Sequence, residues 1–170
     1  MTAGTDDLTA LTARVGQLED REAIRELDAR YCRYLDEGQW QRLGECFTED
    51  GVFDGLSRIE GRTAVQDFFA GLAGGGLTAM WHHVTNHEIA IHGDSATVRS
   101  LLWQPCVVAG VAHVSAGRYR DQLVRTADGW RIREKQVRFL YWGPMAEGWD
   151  HHSFGFPPAR VAPTPRDTEA

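Results

Sequence analysis

Between Val84 and Trp142 four strand-like runs follow one another: Val84–His92, Thr97–Ala109, Val111–Val124 and Gly129–Trp142. Turn signals separate them at Gly93-Asp94, Gly110 and Asp128-Gly129. Short turns leave no room for a crossover helix, so consecutive runs must pair antiparallel. This predicts one curved sheet built from the second half of the chain.

The first half has a different period. Leu8, Leu11, Val15 and Leu18 recur at helical spacing, followed by Ile24, Leu27, Tyr31 and Tyr34 or Leu35. Gly16 and Asp20 predict a break, with a leader helix over Thr5–Gln17 and a main helix over Glu22–Leu35 that stops at Gly38. Trp40, Leu43 and Phe47 predict a second short helix, closed by a turn at Thr48-Glu49-Asp50-Gly51. Val52-Phe53 begins a strand, and a third helix runs from Gly61 through Val65, Phe68, Phe69 and Leu72 to Gly74-Gly75-Gly76. The glycine run follows a helix and lacks a Lys-Ser/Thr pair, so it does not read as a phosphate loop. Helices first and strands after give an α+β layout with helices on one face of a sheet. The reading divides the chain into a loose tail (1–7), one domain (8–143), a possible lid (144–160) and a Pro-rich disordered tail (161–170).

At 170 residues, 42% hydrophobic and 25% charged, the chain suits a single globular domain. A formal charge of −6 with dispersed basic residues argues against a nucleic-acid partner. No apolar run approaches the ~20 residues of a membrane span. Cys32, Cys46 and Cys106 have no metal-type spacing; their odd number predicts reduced thiols and a cytoplasmic setting.

Tyr31 and Tyr34 share a helix face at i and i+3, and Asp36 lies roughly 140° beyond Tyr31. Such an acid is placed to meet a partner from the sheet. His82-His83 precedes the first strand run, and a histidine oriented by a carboxylate is a general base. The residues alone leave open a solvated Asp36 and strand-surface or core histidines. Strict alternation puts His83 in phase with Ile89 and Ile91; a bulge near Val84–Asn86 would bring in His82 instead. Seven histidines show no ligand spacing of a known metal site, so none is expected. Arg138 shares parity with Trp130, Ile132 and Leu140, and facing the cup it would need an anion or Asp36. Gln104 shares parity with Leu102 and Cys106. Trp40, Phe53, Phe68, Phe69, Trp103, Tyr119 and Phe139 are the expected aromatic wall.

The segments Glu22–Leu27, Arg30–Asp36 with Trp40, Phe47–Gly51, Trp81–Asn86, Gly93–Thr97, Gly117–Tyr119 and Asp128–Ile132 resemble a SnoaL-like domain of the nuclear transport factor 2-like superfamily. The resemblance spans roughly Leu18 to Trp142 and implies a cone-shaped α+β barrel. Among its enzymes, the chain is most similar in motif to bile-acid 7α-dehydratases, scytalone dehydratases and hexachlorocyclohexane dehydrochlorinases. That likeness implies elimination by a His–Asp dyad without a cofactor. Position by position, Asp36 matches the dyad acid, His82 its base, Tyr31 a pocket tyrosine and Arg138 a pocket arginine. Asp54-Gly55 and Gln104 depart from the bile-acid pattern, where a tyrosine and an aspartate stand.

The expected function is therefore a dehydratase-like lyase acting on a small hydrophobic ring compound of steroid, terpenoid or polyketide type. His82, Asp36 and Tyr31 are the expected catalytic groups; Arg138, Tyr34, Gln104, Phe53, Trp103, His83 and Tyr119 are the expected substrate contacts. An isomerase or cyclase, or a non-catalytic ligand-binding module, are the rivals. The resemblance further implies a homodimer or homotrimer.

Overall fold

The computed structural model describes residues 3–147. Its elements are α1 (Ala3–Asp36), α2 (Trp40–Glu45), β1 (Phe47–Asp54), β2 (Arg58–Glu60), α3 (Arg62–Gly74), β3 (Leu77–Met80), β4 (His83–His92), β5 (Ser95–Val108), β6 (Val111–Thr126) and β7 (Gly129–Pro144). A single 3₁₀ turn, Met145–Glu147, comes after β7. The lid expected over 144–160 falls mostly outside the described residues, as does the C-terminal tail.

The sheet runs β2-β1-β7-β6-β5-β3, with β4 also paired to β5. The runs β4 to β7 pair antiparallel in sequence order. β1 instead joins β7 in parallel. The core lies between the inner sheet face and the three helices: Ile24, Leu27, Tyr31 and Leu35 from α1, Leu43 from α2, Val65 and Phe69 from α3 meet Val98, Leu102, Leu123, Ile132 and Val137. No helix among the described residues is long and apolar enough to cross a membrane.

Two expectations about the helices change. α1 is one helix of 34 residues, about 51 Å long, and it includes part of the expected tail. Gly16 costs about 1 kcal/mol relative to alanine, too little to break it. Thr48–Gly51, expected as a turn, is the irregular part of β1: its pairing to β7 jumps from Phe47↔Ile132 to Val52↔Glu134.

Three bulges decide which side chains face inward. In β4, Thr85 pairs Leu101 and Glu88 pairs Arg99, so two residues oppose one, and Asn86 takes φ 58°. In β7, Ile132 pairs Leu123 and Glu134 pairs Gln122, so Arg133 is extra. Further along, Phe139 pairs Gly117 and Tyr141 pairs Ala116, so Leu140 is extra. Each extra residue exchanges the inner and outer sets of side chains beyond it.

At the last bulge a β-carbon on Gly117 would stand 2.7 Å from the Arg138 carbonyl oxygen, a backbone atom that cannot swing away. Gly117→Ala is expected to lower stability by about 1–3 kcal/mol in urea unfolding; an unchanged midpoint would show the bulge to be pliable.

Candidate active site

His82 sits in the link between β3 and β4, where the chain passes the C-terminal end of α1. Its ring Nδ1–H donates to Asp36 Oδ1 at 2.5 Å, and its backbone N–H donates to Asp36 Oδ2 at 2.9 Å. One carboxylate therefore holds both the ring and the backbone of the same residue. A carboxylate only accepts, so Nδ1 carries the hydrogen and Nε2 is the basic atom. The His82 side chain is 4% exposed and that of Asp36 20%.

Two spaces meet at this residue. Inside the cone, a narrow cavity of about 40 Å³ is lined by Tyr31, Leu35, Phe53, Phe69, Gln104, Tyr119, Phe139 and Trp142, with His82 in its wall. That is room for about one water molecule. Leu77 and Val137 also line it, and Leu56, Leu72 and Met80, likewise in the lining, are only half-buried. Outside, a groove of about 640 Å³ between α1 and β4 is lined by Asp36, Cys32, Arg25, Arg33, Asp28 and His87, and again by His82.

Of the expected contacts, Tyr31, Phe53, Gln104 and Tyr119 line the cavity. Gln104 is buried and its Oε1 accepts from Ser115 Oγ at 2.8 Å. Arg138, Trp103 and His83 do not face the cup. Trp103 is 42% exposed, because Leu102, Gln104 and Cys106 take the inward phase of β5. His83 lies opposite Trp103 and is exposed. Arg138 is exposed, register-paired to Arg118 on the outer face; the extra residue at Arg133 takes it out of phase with Trp130 and Ile132. Tyr34 is half-buried outside the cavity lining, with Arg33 5.2 Å and Arg42 6.0 Å from its ring. The same phase reversal in β4 turns Val84 inward with His82, and Ile89 and Ile91 inward with His87.

The residue brought inward in place of Arg138 is Lys135, absent from the sequence expectations. It is fully buried, and its Nζ donates to Asp121 Oδ2 at 2.7 Å and Asp28 Oδ1 at 3.0 Å. His87 Nε2–H donates to Asp28 Oδ2 at 2.8 Å. The ammonium lies 4.1 Å from the Tyr119 ring centroid and 4.5 Å from that of Tyr31. Burial pulls the lysine pKa down, but Asp121 and Asp28 outweigh it and hold the pKa well above the usual lysine value. Burial works against ionised Asp28 too; Lys135 and His87 overcome it and keep the carboxyl well below its ordinary range. For Asp121 burial prevails, and its pKa rises to about 6. Burial also keeps the Tyr31 and Tyr119 phenols protonated far above neutral pH. A signal for this cluster was present: Asp28 sits within the apolar stripe of Ile24, Leu27 and Tyr31, and Asp121 shares the inward phase of Tyr119 and Leu123.

A SnoaL-like domain model matches residues 16–136. The chain belongs to the SnoaL-like family. An uncharacterised protein of Mycobacterium tuberculosis, Rv2910c, is 31% identical to this SnoaL-like chain over 123 residues, covering 69% of it and 84% of the relative. The solved structure of an NTF2-like protein with a cystatin-like fold from Novosphingobium aromaticivorans is 34% identical, with TM-score 0.65 over 78% of this chain and 89% of that one. Two further structures share the fold. A putative scytalone dehydratase from the same organism has TM-score 0.70 at 22% identity, covering 75% and 89%. A hexachlorocyclohexane dehydrochlorinase from Novosphingobium barchaimii has TM-score 0.72 at 18% identity, covering 78% and 94%.

Lys135→Met leaves two carboxylates buried without their cation, and is expected to cost about 3–5 kcal/mol in urea unfolding. Asp121→Asn tests the pH sense. Because folding raises the Asp121 pKa, the folded state holds a proton that the unfolded chain releases between about pH 4 and 6. Stability from this group therefore falls as pH rises through that window. Asp28 acts with the opposite sign, and only below about pH 4. The loss between pH 4.5 and 7 should shrink in Asp121→Asn by on the order of 2 kcal/mol; parallel curves for the two proteins would contradict the assignment.

Proposed function

We propose that this SnoaL-like protein is a cofactor-independent lyase that removes water from a small, largely apolar ring compound by proton abstraction next to a carbonyl. The observation that carries the reading is the double grip of Asp36 on His82, at a histidine that walls an apolar cavity together with Tyr31.

In this reading His82 Nε2 takes the α-hydrogen, and Asp36 stabilises the imidazolium that forms. The neutral Tyr31 hydroxyl donates to the carbonyl oxygen as it gains charge. The C–H electron pair closes the new C=C bond while the β-carbon–oxygen bond breaks. The imidazolium returns its proton to the leaving hydroxyl, so water departs and the histidine is neutral again. Phe53, Phe69, Tyr119 and Phe139 supply the apolar wall that such a substrate needs. A ring compound is larger than the ligand-free cavity, so it enters by displacing the half-buried Leu56, Leu72 and Met80.

The test uses a panel of cyclic ketones, with and without a β-hydroxyl, in D₂O. The parent protein should exchange the α-hydrogen of a matched ketone and eliminate water from its β-hydroxy partner. His82→Ala and Asp36→Asn should each lower both rates by about 10²–10⁴-fold. Undiminished rates in both variants would refute the dyad; binding of a ligand by parent and variants alike, with exchange in none, would make the protein a binding module.

A further inference from the structure

The first five turns of α1 form an arm whose apolar stripe is not part of the core among the described residues. The helix is anchored to the domain from Asp20 onward. There Arg125 donates to both Asp20 oxygens at 2.7 Å, Trp130 Nε1–H donates to Asp20 at 3.1 Å, and Arg21 donates to the Ile89 carbonyl at 2.9 Å. N-terminal to this anchor Leu8, Leu11, Val15 and Leu18 are 64%, 55%, 44% and 65% exposed. A side chain built on Gly16 would meet nothing.

The stripe does not continue the core-facing one. At about 100° per residue, Leu8, Leu11, Val15 and Leu18 centre roughly 180° away from Ile24, Leu27, Tyr31 and Leu35. One helix thus presents one apolar face to its domain and, further toward its N-terminus, another directly away from it. A helix of this length standing alone in water is marginal. Its threonines and Gly16 weaken it further.

The geometry points to a second copy of the same arm as the occupant, in a parallel two-stranded coiled coil. Leu8, Leu11, Val15 and Leu18 are spaced three, four and three apart, the a/d pattern of a coiled-coil seam. Leucine at the d positions and a β-branched valine at one a position suit two strands. Arg14 then falls at a g position and Glu19 at the e position five residues on, so each Arg14 faces the other copy's Glu19. Neither makes an ion pair within the chain among the described residues. In the antiparallel alternative Arg14 would face its own symmetry mate. Because the seam lies opposite the domain-facing side, the two domains hang outward from a parallel pair and do not collide.

The experiment is sedimentation equilibrium of the full chain up to about 100 µM. A concentration-dependent dimer is expected. Leu11→Asp with Leu18→Asp should weaken it about 100-fold or more while leaving the near-ultraviolet circular dichroism of the domain unchanged. Glu19→Arg alone should weaken it several-fold, and Arg14→Glu added to it should restore the parent affinity. Val15→Cys should cross-link to its own counterpart under mild oxidation, a readout that survives if the aspartate variants do not fold. A monomer at all concentrations, a trimer, or a dimer indifferent to the aspartates would overturn the proposal; the last would move the contact to another surface, such as the outer sheet face.

Discussion

A lysine sealed from solvent between two carboxylates fixes how the long helix lies on the sheet. Lys135 comes from β7, Asp121 from β6 and Asp28 from α1, and His87 of β4 closes the cluster from the groove side. Burying such charges is expensive, and a hydrocarbon set of the same volume is often at least as stable. What the ions add is a requirement for one arrangement: rotating or sliding α1 would strand a cation in hydrocarbon. Tyr31 stands one turn beyond Asp28 and Asp36 two turns beyond, so the phase set by this cluster also sets where the tyrosine and the dyad acid arrive.

The same cation faces two aromatic rings that line the cavity. A cation against a ring face is attracted to it, the more so where water is excluded. Burial keeps both phenols neutral, so they remain hydrogen-bond donors. The inner wall thus sets an imidazole held by Asp36 beside neutral phenol donors in apolar surroundings, while the buried ammonium and its carboxylates lie behind the tyrosines.

The helices and the four long strands are legible in the sequence because each rests on a period repeated many times over. Asp36 and His82 are legible through motif resemblance, not through periodicity. The hidden part depends on single extra residues. The sequence raises the bulge near Asn86 only as an alternative to strict alternation, while Arg133 and Leu140 carry no strong compositional mark of a bulge, yet each reverses inside and outside in the stretch of β7 that follows it. Counting parity from Trp130 selects Arg138 and passes over Lys135, although Asp28 and Asp121 at apolar positions already require a buried cation. Trp103 departs from expectation for a different reason: its neighbours Leu102 and Gln104 hold the inward phase, and the size of an indole does not override its position. The continuity of α1 is hidden by one glycine, which resembles a break in the sequence but costs the helix only modestly.

His82 belongs to the cavity on one side and to the open groove on the other. One carboxylate, itself only partly exposed, holds the ring at the boundary between the two spaces. The imidazole is part of the partition between an apolar interior and an open groove.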